Sequence, residues 1–250
     1  MSEHIKVERH GAVLALTMNR PVRRNAITVA MYAALADAIE GAASDETLRL
    51  ITLEGAGKDF TGGNDLADFM ADTPGGDDIP VWRLLRALAV NPVPLIAAVH
   101  GNSVGVGTTM LFHCDLVLAE AGTRFVMPFV DLGLVPEAAS SLMLPRLAGR
   151  RRAARYLLLG EPFGVDEAHD FGLVSHRVPL GGLSDALAAV VEQLLSKPPE
   201  ALRLTQRLLR GENKAEILER MELENNLVTQ RLQSDEVRNA IAAFFAARGR

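Results

Sequence analysis

The sequence predicts an α/β fold in which ββα units recur as the turns of a spiral, followed by a helical C-terminal region. Three observations predict it. Apolar runs of strand length alternate with stretches of helical period through the first half. Glycine-rich turns repeatedly part a strand from the helix after it. Beyond Gly149 the chain reads as nearly continuous helix, with one strand at Val174–Val178. The expected division is a spiral core over residues 1–195 and a helical region over 196–250.

Taken in order, Ile5–Arg9 and Val13–Met18 read as strands joined by a turn at His10-Gly11. A polar, basic loop follows, Asn19-Arg-Pro-Val-Arg-Arg-Asn-Ala-Ile27. Thr28 can cap the next helix, whose Met31, Leu35, Ala38 and Ile39 share one face. Leu50–Leu53 is a strand that runs into Gly55-Ala-Gly-Lys-Asp-Phe-Thr-Gly-Gly-Asn-Asp-Leu66, with Asp65 a helix cap. Residues 71–79 hold Pro74, Gly75 and Gly76 and read as a mobile loop. Pro80–Ala89 is helical. Leu95–Val99 is apolar throughout, as a strand buried on both faces requires. Gly101, Gly105 and Gly107 mark backbone passing through tight space, and a helix follows. Asp115–Ala119 and Arg124–Val126 are strands, and Glu137 opens a helix running to about Leu147.

Composition narrows the classes of function. A 250-residue chain with 48% hydrophobic residues builds a large globular core. A net charge of -5 argues against a dedicated nucleic-acid binder. Cys114 is the sole cysteine, so no internal disulfide forms and a reducing compartment is expected. No apolar run has membrane length, the start lacks a signal-peptide pattern, and Arg250 ends no peroxisomal address. A cytoplasmic protein is the expectation. No His-rich spacing points to a metal, so none is expected. His113 reads as a charge favoured by a helix C-terminus. The basic cluster Arg146, Arg150, Arg151, Arg152 and Arg155 lacks interleaved aromatics and reads as a helix surface or subunit contact rather than an RNA site.

The chemistry lies in two glycine turns that each meet a helix start. One presents the N–H of Asn64, the other that of Val106 or Gly107. Unpaired amides at such places hold anions or stabilise charge developing on a carbonyl oxygen. The second turn has no Lys-Ser or Lys-Thr and is no P-loop, and Met110 stands where a dinucleotide fingerprint needs a third glycine. Glu137 follows a proline at a third helix start. A carboxylate there can take a proton from a carbon beside the held carbonyl. From local sequence alone, a charge placed by the helix dipole explains Glu137 better.

Five ordered segments change that balance. They are Asn19-Arg-Pro…Asn25-Ala-Ile27, Phe60-Thr-Gly-Gly-Asn-Asp-Leu66, Pro94-Leu-Ile-Ala-Ala-Val-His-Gly101, Cys114-Asp115 and Phe171-Gly-Leu-Val174. With them the chain resembles the crotonase (enoyl-CoA hydratase/isomerase) superfamily over nearly its whole length. The resemblance implies a crotonase-like ββα spiral core and a C-terminal helical region that builds trimers, often paired into hexamers. It implies the Asn64 and Val106 amides as an oxyanion hole for the thioester carbonyl of an acyl-CoA. It also implies CoA and acyl contacts from Arg24, Ala26, Gly62, Asn64, Asp65, Leu66, Val104, Val106 and Phe129, with Arg248 a further basic residue for the adenosine phosphate. CoA arrives as part of the substrate, and no separate cofactor is implied.

The two glutamates of hydratases fall at Thr109 and Phe129, so both are missing here. In contrast, Gly63-Asn-Asp-Leu66, Val104-Gly-Val106 and Pro128-Phe-Val-Asp-Leu-Gly-Leu-Val-Pro-Glu-Ala-Ala-Ser-Ser141 resemble the peroxisomal-type Δ3,Δ2-enoyl-CoA isomerases. There a single Glu, matching Glu137, moves a proton between C2 and C4. The alternatives are another crotonase reaction, hydration included, and an acyl-CoA binder without turnover.

Overall fold

The computed structural model describes residues 2–67, 79–211 and 214–248, without the side chains of residues 244, 247 and 248. Residues 71–78 of the expected loop and the Arg248 side chain therefore lie outside the described residues. The main sheet has six strands: β1 (Ile5–His10), β2 (Val13–Met18), β3 (Leu50–Gly55), β4 (Leu95–Val99), β6 (Leu116–Glu120) and β9 (His176–Val178), in that spatial order. β1 pairs antiparallel with β2, and every later pair is parallel. β4 is buried along its whole length, as its unbroken apolar run requires, while β1 is an edge with only Ile5 buried.

Helices cover both faces. On one lie α1 (Val29–Ala43) and α2 (Pro80–Val90), which pack on each other through residues such as Leu35, Ile39, Leu84 and Leu88. Thr28 caps α1, its hydroxyl accepting from the Met31 N–H at 3.3 Å. On the other face α7 (Leu183–Leu195) lays Leu187, Val190 and Leu194 against Ile96, Leu118 and Val178.

The spiral is visible in a second layer. After each core strand the chain adds a short rung. Ile27 bridges Asn64, Thr61 bridges Ser103, and β5 (Asn102–Val104) pairs with β7 (Arg124–Val126), all parallel. β8 (Phe163–Gly164) closes that edge. Asn25 binds the rungs together. It is fully buried in the left-handed region at φ 54, and its Nδ2 donates to the Ala56 and Asp59 carbonyls at 2.8 Å each. Asp59 Oδ1 in turn accepts from the Asn102 N–H at 2.9 Å.

The glycines of the central stretch divide by cause. A Cβ at Gly101 would collide with the Lys58 carbonyl, and one at Gly107 with Thr61 Cγ2. Gly105 meets nothing within 4 Å, so it serves its positive φ of 55 rather than tight space. The helix after Gly105 is shorter than the sequence pattern implies. α3 (Val106–Thr109) has four residues and passes into a 3-10 turn at Met110–His113. Its dipole is correspondingly small, so its leading amides act as individual donors.

After β7 come α4 (Ser140–Ala148), α5 (Arg150–Leu158) and α6 (Val165–Asp170). Beyond α7, α8 (Pro199–Gly211), α9 (Lys214–Leu232) and α10 (Asp235–Arg248) complete the chain. Arg210 latches α8 to the core. Its guanidinium meets both Asp115 carboxylate oxygens at 2.9 Å, the His113 carbonyl at 2.6 Å, and the Leu88 and Asn91 carbonyls.

Candidate active site

The two glycine turns of the sequence meet in space. The rung pairing of Ile27 with Asn64 uses the Gly63 carbonyl, which accepts from Ile27 at 2.8 Å, and the Asp65 amide, which donates to Ile27 at 2.9 Å. Alternation along an extended strand then turns the Asn64 N–H to the opposite side, where β5 lies. Gly63 sits at φ 85, and a Cβ there would stand 2.8 Å from the Val104 carbonyl. Val106 follows two residues later and is buried. Gly107 packs so closely on Thr61 that the turns interlock. Gly107→Ala is expected to push them apart, lowering kcat roughly 10²-fold and costing about 1–3 kcal/mol of stability. Steady-state kinetics and a denaturant melt read the two effects.

Glu137 closes the site from a third segment. It does not open a helix: α4 starts at Ser140, after Ala138 and Ala139 in the left-handed region at φ 57 and 56. The charge at that helix start comes from Glu224 on α9, whose carboxylate accepts from the Ala139 N–H at 2.6 Å and the Ser141 N–H at 3.0 Å. The dipole explanation of Glu137 is thereby corrected, because another acid fills that role.

Glu137 is instead 5% exposed, with its Oε1 buried and without a hydrogen-bond partner. Burial, reinforced by the Glu224 carboxylate, pushes its pKa up to about 8, against the Thr109 hydroxyl, which favours the charged form. Thr109 stands one turn beyond Val106, so the carboxyl group lies beside the second glycine turn. The Tyr32 phenol feels the Glu137 charge and donates its hydroxyl hydrogen to Asn64 Oδ1. Tyr32, Asn64, Val106, Thr109 and Glu137 thus form one cluster.

His113 supports the same loop. Its Nε2 lies 2.9 Å from the Ala138 carbonyl, and burial pulls its pKa down to about 4. The expected helix-dipole charge on His113 is overturned, since desolvation outweighs the dipole of a short 3-10 turn.

The other expected contact residues spread around the turns. Ala26, Gly62, Leu66 and Val104 are half-buried, and Phe129 is buried in the main core. The Arg24 carbonyl accepts from Gly62 at 2.7 Å, while its side chain is 70% exposed, with Nε 4.0 Å from Asp59. Asp65 accepts from Arg20 at 2.6 Å, an ion pair beyond the capping role expected of it.

Sequence reasoning missed two residues, though both leave a signal. Tyr32 places a phenol on the apolar face with Met31 and Leu35, where its hydroxyl needs a partner. Glu224 falls in the buried stripe of Met221 and Val228, an unusual position for an acid.

Comparison with known proteins fits this geometry. The Enoyl-CoA hydratase/isomerase family matches residues 8–249. The 1,2-epoxyphenylacetyl-CoA isomerase of Escherichia coli is 32% identical, across 99% of this chain and 97% of that protein. Enoyl-CoA delta isomerase 2 of Rattus norvegicus is also 32% identical, across 97% of this chain and 63% of that protein. The crystal structure of an enoyl-CoA hydratase/isomerase from Pseudoalteromonas atlantica superposes with a TM-score of 0.93 at 38% identity, covering 98% of each chain.

Proposed function

The chain belongs to the enoyl-CoA hydratase/isomerase family, the crotonase superfamily, and on that premise we propose that it is a Δ3,Δ2-enoyl-CoA isomerase with Glu137 as its single proton shuttle. The Asn64 and Val106 amides hold the thioester oxygen. Charged Glu137 takes a proton from C2, and the electrons spread into a dienolate whose negative end rests on that oxygen. Protonated Glu137 then returns the proton at C4, and the double bond moves into conjugation. Atoms and charge balance without a second acid or a cofactor. Arg24, Ala26, Gly62, Asp65, Leu66, Val104 and Phe129 line the path of the acyl-CoA.

One observation carries the reading. Glu137 is buried beside the second glycine turn with an unpartnered oxygen, while Thr109 and Phe129 stand where hydration would need acids. Glu224, the nearby carboxylate, has each of its oxygens engaged by a main-chain amide, those of Ala139 and Ser141. Relatives at 32% identity include two isomerases and a 2,3-dehydroadipyl-CoA hydratase, so the choice rests on the site and not on their names. Exposed Leu158, Leu159, Leu208 and Leu209 support self-association into the trimer or hexamer expected of the superfamily.

The test is product formation. Given a 3-enoyl-CoA, the protein should yield the conjugated 2-enoyl-CoA, followed by its ultraviolet absorbance. Hydration of crotonyl-CoA at ordinary enzyme rates, surviving Glu137→Gln, overturns the reading. The pH profile is a second check. The charged base is the active form, and its pKa stands at about 8. kcat/KM should therefore rise with pH through about 8 and then level off, since kcat/KM reports the free enzyme.

A further inference from the structure

Tyr32 lies on α1, remote in sequence from both glycine turns, yet its hydroxyl reaches Asn64. It is one of two tyrosines in the chain and is 2% exposed. The Asn64 amide follows Gly63, whose missing side chain gives that peptide plane extra freedom. The backbone on either side of Asn64 is held by Ile27, through the Gly63 carbonyl and the Asp65 N–H. The Asn64 side chain is held separately, by the Tyr32 hydroxyl.

Resting on the isomerase reading, we infer that Tyr32 is a positioning residue for this reaction: through the Asn64 side chain it aims the Asn64 amide at the thioester oxygen. Burial and the nearby Glu137 charge both favour the protonated phenol. Tyr32 therefore remains a hydrogen-bond donor through turnover and moves no proton itself. The bond contributes only as charge develops on the oxygen, so its loss should appear in kcat rather than KM.

Tyr32→Phe keeps the ring and removes only the hydroxyl. Its kcat should fall about 10-fold to 100-fold, with KM within about twofold of wild type. Asn64→Ala removes the other end of the same bond. The double variant should be no worse than the poorer single one, because both delete one interaction. Acetoacetyl-CoA supplies a readout without turnover: its enolate absorbs in the near ultraviolet, and the bound enolate fraction should drop in both single variants. An unchanged kcat in Tyr32→Phe overturns the inference, as do losses that multiply in the double variant. If Tyr32→Phe fails to fold, Asn64→Ala with full kcat overturns it instead. Glu137→Gln, assayed in parallel, separates the two claims. An active Glu137→Gln sinks the isomerase reading, whereas an inactive one beside a fully active Tyr32→Phe sinks only this inference.

Discussion

Glu137→Gln should lower kcat for 3-enoyl-CoA isomerisation by about 10³-fold. Gln matches the shape of Glu and cannot carry the proton. Exchange of the C2 proton in heavy water should vanish with it, and acyl-CoA binding should persist. A full rate in this variant removes the proton shuttle from the mechanism. Stability should move the other way. The folded pKa stands at about 8 against an ordinary 4.5. Between those values the folded state keeps a proton that the unfolded chain has released. The wild type therefore loses stability as pH rises through this window, and the Gln variant does not. Denaturant melts at pH 6 and pH 9 should show the variant gaining on the wild type at the higher pH. The acid is held in the buried site against this cost, as expected of a group tuned for proton transfer.

Arg210→Ala should be strongly destabilising, costing about 3 kcal/mol. The ion pair with Asp115 is 19% exposed on each side, so solvent screens it little. Removal leaves the carboxylate with fewer partners and three carbonyls without the guanidinium. Asp115 still accepts from the Leu95 N–H at 2.8 Å, at the start of the central strand. The loss therefore reaches β4, the strand that leads into the second glycine turn. For a chain of this size Tm should fall by roughly 6–12 °C. A fall within about 2 °C would mean that α8 is held by its apolar contacts instead. Arg210→Lys should recover only part of the loss, because an ammonium cannot match the guanidinium fork.

The frame of the site was legible in the sequence. The alternation of apolar runs with glycine turns located β2, β3, β4 and two turns offering the amides of Asn64 and of Val106 or Gly107. The motif around Asn25 was legible too, but its packing role was not. It reads as a polar, basic loop, whereas Asn25 is buried and its Nδ2 donates to the Ala56 and Asp59 carbonyls. Local pattern carries no information about which distant carbonyls a side chain meets. Glu137 shows the same limit. Its position after a proline suited a helix dipole, and only the path of α9 revealed that Glu224 occupies that helix start.

By itself the sequence determined the strand and helix periods and the glycine positions that permit the turns, and it offered Glu137 as a candidate acid. These are properties of a residue and its near neighbours along the chain. Tertiary structure alone decided that the turns interlock, that His113 is neutral, that Glu137 titrates near 8 and that Tyr32 reaches Asn64. Each depends on burial or on partners dozens of residues away. The cost of removing charge from water is set by what surrounds a group in three dimensions, not by what precedes it in sequence.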